Sequence, residues 1–291
     1  MCNLQRFFIS ALSHLQLRYA IIQSFRSRGF DMNIPEYCCN TGRQNGIPVA
    51  RVIDTLDRLL SRNDKEGAER HLRYWREEAV RLCDKRGELS VVDEMLGFFR
   101  RTGDKENALK AVRAALTLIE ETGIEGGLSS ATIMLNSATT LKAFGKTEEA
   151  LPLYEAALNI YTGALDENDP IFAGFWNNYA LALSDTGRKE EAEEAYFNAI
   201  YIMKKTENGL PNAAISYLNL ATLYESMEDR DENDIYTCIK EAVLLFKDPD
   251  TERNEKYFDA LSKCISSFIS YGLNEDAAEF EAELKEFYER S

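Results

Sequence analysis

Side chains that exchange protons, attack as nucleophiles or ligate metals are thinly supplied in this chain. Its two histidines, His14 and His71, leave little material for general acid–base catalysis. Gly-x-Ser-x-Gly, His-Glu-x-x-His, P-loop and Gly-x-Gly-x-x-Gly motifs are all missing. Asp229, Asp231 and Asn233 open like a calcium loop. Asp234 then stands where such a loop needs glycine, and Lys240 where it needs its bidentate glutamate. The stretch reads as an acidic turn. The six cysteines include no Cys-x2-Cys pair, which argues against zinc. The expectation is no catalytic residue, no metal, no cofactor and no enzymatic activity.

The polar residues that do recur are amides. Asn136, Asn178 and Asn219 follow one another at 42 and 41 residues. An amide offers both donors and an acceptor, which suits it to clasping the backbone of an extended peptide. It can equally bond a neighbouring amide or the local backbone, and both readings stand at this point.

The elements that must carry these amides are helical hairpins in tandem. Over 173–203, Trp176, Tyr179, Ala180 and Leu183 mark one face of a first helix, and Ala192, Ala195, Tyr196, Ala199 and Ile200 one face of a second. Gly187 between them is a helix stop. Gly103, Gly145 and Gly187 are spaced by 42 residues, and each is followed in register by Ala108, Ala150 and Ala192 and then by Ala115, Ala157 and Ala199. Small residues let antiparallel helices approach to about 8 Å. The wider gaps fall to Val112, Tyr154 and Tyr196. A single hairpin leaves one apolar face uncovered, so copies must stack. Pro170, Pro211 and Pro249 fall between copies, and Pro152 is placed near the first turn of a second helix.

Trp176-x3-Ala180, the turn glycine and Glu191-Ala192-x3-Tyr196-x2-Ala199 resemble the tetratricopeptide repeat (TPR) family. The 42-residue period exceeds that family's usual 34. With 148–161 and the loop 166–170, it is similar to the repeats of kinesin light chains and many bacterial TPR proteins. The resemblance implies an all-α fold, a right-handed α-solenoid of about six antiparallel hairpins near 49–83, 89–122, 131–165, 173–206, 214–247 and 257–290. It further implies that the first helix of each hairpin lines a concave groove. The groove residues expected on that basis are Arg100, Arg101, Asn136, Thr139, Lys142, Asn177, Asn178, Asp185, Asn219, Thr222 and Glu225. Arg100, Arg101 and Lys142 against Asp185 and Glu225 make a charge gradient that would orient a peptide. The lysine–asparagine clamp with which some family members hold chaperone C-termini is not carried over, because Asp93 and Gly97 stand there.

Formal net charge is −15, divided as +5 over 1–87 and −20 over 88–291. An acidic array repels nucleic acid. Residues 1–47 form a basic, irregular segment, with four arginines and no acid before Asp31. The uncharged run 7–17 is too short to span a bilayer. A docking helix, a targeting segment and true initiation at Met32 are all compatible with it. Residues 48–291 are assigned to the solenoid. Reduced thiols point to a cytoplasmic location. The function expected is a scaffold that binds a peptide or protein segment in the groove, with a peptide-responsive switch as the alternative.

Overall fold

A computed structural model describes residues 46–290. The basic leader, Met32 and the Cys38-Cys39 pair lie outside the described residues. Among those described there are twelve α-helices and no strand. The chain divides into two compact units, one ending at Ala164 and one starting at Leu165.

The first unit holds α1 (Val49–Ser61), α2 (Lys65–Arg81), α3 (Lys85–Thr102), α4 (Lys105–Thr122), α5 (Leu128–Ala143) and α6 (Thr147–Ala164). Its first four helices follow a cadence of twenty residues. Asn63, Cys83 and Gly103 each turn the chain with positive φ, at 54, 58 and 76°. The aspartate after each caps the next helix. Asp64, Asp84 and Asp104 accept the backbone N–H of Gly67, Gly87 and Asn107 at 2.8, 2.9 and 3.0 Å. Each aspartate satisfies a donor that a helix start leaves open. Asp84 also accepts the Ile47 N–H at 2.9 Å, which ties the approach to α1 onto the α2–α3 turn. In this unit α3 packs against α1 and α5 as well as against α2 and α4, and α5 packs on α6.

The second unit holds α7 (Ile171–Asp185), α8 (Lys189–Met203), α9 (Leu210–Glu225), α10 (Glu232–Lys247), α11 (Glu255–Ser270) and α12 (Asn274–Arg290). Here α9 touches α7 and α11 in one row, and α7, α9 and α11 pair with α8, α10 and α12. The α9–α10 turn has no glycine. Instead Asp231 caps α10 through the N–H groups of Asn233 and Asp234. Arg230 reaches both carboxylate oxygens of Glu193 and lies 4.6 Å from the centre of the Tyr224 ring. The acidic turn of the sequence is thus a capping loop pinned by an ion pair to α8.

Burial follows the repeat columns. Ala108, Ala115, Ala138, Ala150, Ala157, Ala180, Ala192, Ala199 and Ala221 are fully buried. Tyr154 and Tyr196 are 0 and 1% exposed. Gly103, Gly145 and Gly187 adopt φ of 76, 75 and 78°, the left-handed conformation that closes a helix. One expectation needs correction. Pro152 lies inside α6, beyond the first turn expected for it, so the second turn of that helix lacks a donor. Cys238 and Cys264 are free and buried. Burial pushes each of these two thiols up to about 12, so both are poor nucleophiles at neutral pH.

Candidate functional site

Helix periodicity puts residues four and seven apart on one face, and in each unit that face of the odd-numbered helices collects the polar groups. In the first unit the face centres on α3 and α5. Asn136 donates its amide to Asp93 Oδ1 at 2.9 Å. Burial raises the Asp93 carboxyl above its ordinary value, with Asn136 and Arg100 partly offsetting it. Beside it Glu94 is raised too, by burial first and then by Asp93 and Asp57. Thr139 donates to the Leu135 carbonyl at 2.8 Å and meets the Tyr154 hydroxyl at 3.2 Å. Thr132 meets Tyr161 in the same way at 3.1 Å. A row of threonine–tyrosine contacts therefore fastens α5 to α6 along this polar face.

Arg100 is half-buried, and its side chain makes no hydrogen bond or ion pair among the described residues. Burial and the neighbouring Arg101 lower its pKa, while Tyr154 and Asp93 act the other way. Arg101 is exposed and Lys142 half-buried.

In the second unit the corresponding face runs along α7 and α9. Asn177 Oδ1 accepts from both Ser216 Oγ at 2.9 Å and Asn219 Nδ2 at 3.2 Å. This repeats the Asp93–Asn136 contact with nearly the same chain separation, 42 residues against 43. Asn178 differs from Asn136 and Asn219. It is half-buried, and its amide makes no hydrogen bond among the described residues. The residue 43 before it is Leu135, which has no polar side chain. At the far end of α9, Thr222 donates to the Leu218 carbonyl at 3.1 Å. The Tyr271 hydroxyl lies beside Thr222 and Glu225; burial raises it first, Thr222 opposes that and Glu225 adds to it. Asp185 is exposed at the end of α7.

Seven of the eleven expected residues sort into three kinds. Asn136, Asn177 and Asn219 are tied into contacts between consecutive odd-numbered helices. Thr139 and Thr222 bond their own helix backbone. Arg100 and Asn178 keep polar groups without a partner among the described residues. The expectation omitted Asp93, Glu94, Tyr154 and Tyr271, which shape the same faces. Asp93 shared the register of Asn177, a signal available in the repeat alignment. Among the described residues no group of three or more metal-ligating side chains could hold an ion. No helix among them is long and apolar enough to cross a membrane.

Paired antiparallel helices with alanine contact columns define a helical-repeat protein. Residues 95–163 and 173–204 match the tetratricopeptide repeat (TPR), so these segments carry TPR repeats. No curated protein sequence matches it. Among solved structures it is similar to the MamA RS-1 ArsTM double mutant, with TM-score 0.51 and 16% identity over 71% of this chain and 99% of that one. It is also similar to the nearly identical, kinesin light chain-type TPR-like repeats of Podosopora anserina. That match has TM-score 0.48 and 18% identity over 69% and 95% of the two chains. BtubC (BKLC) from P. vanneervenii gives TM-score 0.48 and 18% identity over 84% and 92%. The MamA similarity carries the fold, and the repeats make a protein-interaction scaffold the coarse functional class.

Proposed function

We propose that the chain is a non-enzymatic scaffold whose polar helix faces bind an extended peptide segment of a partner protein. The observation that carries this reading is Asn178. An amide that is half-buried yet unbonded loses water contacts without regaining them inside the protein. A bound peptide backbone supplies both the carbonyl and the N–H that this side chain lacks. Asn136 and Asn219 support it from the other direction, because their contacts hold neighbouring helices in register and so shape the face. Arg101 in the first unit and Asp185 in the second give the two faces opposite local charge, so each suits peptide side chains of a different sign. Free, buried Cys238 and Cys264 suit a reducing, cytoplasmic setting. Alkylation and mass spectrometry of the cellular protein tests that setting: cysteines modified as free thiols support it.

A peptide array probed with the full chain tests the main reading. Binding peptides are expected, and Asn178→Ala should weaken them at least fivefold without lowering the melting temperature. An array with no binding member ends the proposal.

A further inference from the structure

Gly97 is the one residue of the α3 polar face that has no side chain. The helices α5, α7 and α9 fill this register with Thr139, Leu181 and Thr222. Glycine is among the least favourable residues for a helix interior, and close packing is the usual reason to find it there. Packing does not explain Gly97. A Cβ built on it meets nothing within 4 Å. The position is an open notch whose floor is helix backbone.

Charged groups of opposite sign stand on either side of the notch. Asp93 lies one turn before Gly97 and Arg100 about one turn after it, all on one face. Asn136 occupies Asp93 Oδ1 and leaves Oδ2 without a partner among the described residues. The Arg100 guanidinium makes no hydrogen bond or ion pair among the described residues and interacts with Asp93 only through space, across the notch. Seven residues of helix separate the two by about 10 Å along the axis, so each is left for an outside partner. Asp57 and Glu94 add negative charge on the Asp93 side, and Arg101 adds positive charge on the other.

We infer that this notch takes a peptide carrying a basic and an acidic side chain three residues apart, the basic one against Asp93 and the acidic one against Arg100. The spacing follows from geometry. A polyproline-II segment rises about 3.1 Å per residue with three residues per turn, so its positions i and i+3 share a face about 9 Å apart. That matches the separation of the two protein charges, and the open floor at Gly97 admits the peptide backbone between them. A segment with two acidic side chains meets the Asp93 carboxylate and is repelled. The inference rests on the peptide-binding reading and specifies its ligand in the first unit.

The test is fluorescence polarisation of the full chain with fluorescein-labelled decapeptides on an Ala/Pro/Ser background. Each peptide holds one Lys and one Glu, in either order, one to six positions apart; Lys-only and Glu-only peptides complete the set. Tightest binding is expected at a separation of three. Gly97→Leu should weaken that peptide at least tenfold by filling the notch, with the melting temperature unchanged or raised. Arg100→Gln should abolish the preference for Glu at that spacing. Gly97→Ala, which adds only a methyl to open space, should raise the melting temperature and keep most of the binding. If peptides bind without regard to spacing, or Gly97→Leu binds as well as the parent, this inference fails and the scaffold reading survives. If no peptide of this set or of the array binds, both fail.

Discussion

At the scale of single residues, two adjacent asparagines do different work. Asn177 accepts from Ser216, whose hydroxyl is fully buried. Asn177→Ala should therefore cost about 1–3 kcal/mol, the usual penalty for orphaning a buried donor. Asn178→Ala removes an amide with no partner among the described residues, so urea denaturation should place it within about 0.5 kcal/mol of the parent. If the two variants exchange behaviour, the assignment of structural and binding amides is inverted. Asp93 gives a second prediction. Its folded carboxyl titrates above the ordinary aspartate value of about 3.9, chiefly through burial. Above that ordinary value the folded state holds the proton more tightly than the unfolded chain, so stability falls as pH rises through the folded pKa. Asp93→Asn keeps an acceptor for Asn136 and removes the buried charge. It should be more stable than the parent at pH 7, and the gain should vanish as pH falls towards about 4. A gain independent of pH would show that the Asp93 charge is not its source.

At the scale of elements, the helix boundaries of the first unit are set by a turn-and-cap device. Asp-Lys-x-Gly at 64–67, Asp-Lys-x-Gly at 84–87 and Asp-Lys-x-Asn at 104–107 repeat every twenty residues, each following a left-handed residue. Asp84 serves two donors, Gly87 N–H and Ile47 N–H. Asp84→Ala should cost about 1–2 kcal/mol by thermal or chemical denaturation, at the upper end of cap losses. Asp64→Ala, which loses a single backbone partner, should cost less. Equal losses would mean that the Ile47 contact contributes nothing. This cadence passed unread in the sequence because only one of its three left-handed residues is glycine. Asn63 and Cys83 tolerate the conformation at some strain.

At the scale of the whole molecule, the recurring alanines decide how closely helices approach. Ala180 is fully buried in α7. Ala180→Leu should overpack its surroundings and cost about 1–3 kcal/mol, read as a lowered denaturation midpoint without loss of helical signal. An unchanged midpoint would mean that helix spacing does not depend on this column. The uneven charge, strongly negative beyond residue 87, bears on binding and leaves the fold to packing.

What the sequence determined unaided was the tile. Equal spacing of Gly103, Gly145 and Gly187, with alanines held in register behind them, encodes a helix hairpin. The cause is local, because a helix stop and a small contact residue act wherever the chain places them. It also assigned Asn136, Asn178 and Asn219 to the same register of their own helices, since helical periodicity alone assigns faces. Only the tertiary structure decided which of those amides is consumed. That depends on the side chain a neighbouring helix presents about 42 residues away, Asp93 for Asn136 and Asn177 for Asn219, and no local pattern carries it. For the same reason Gly97 reads in sequence as a poor helix residue and in the fold as open space between two opposite charges.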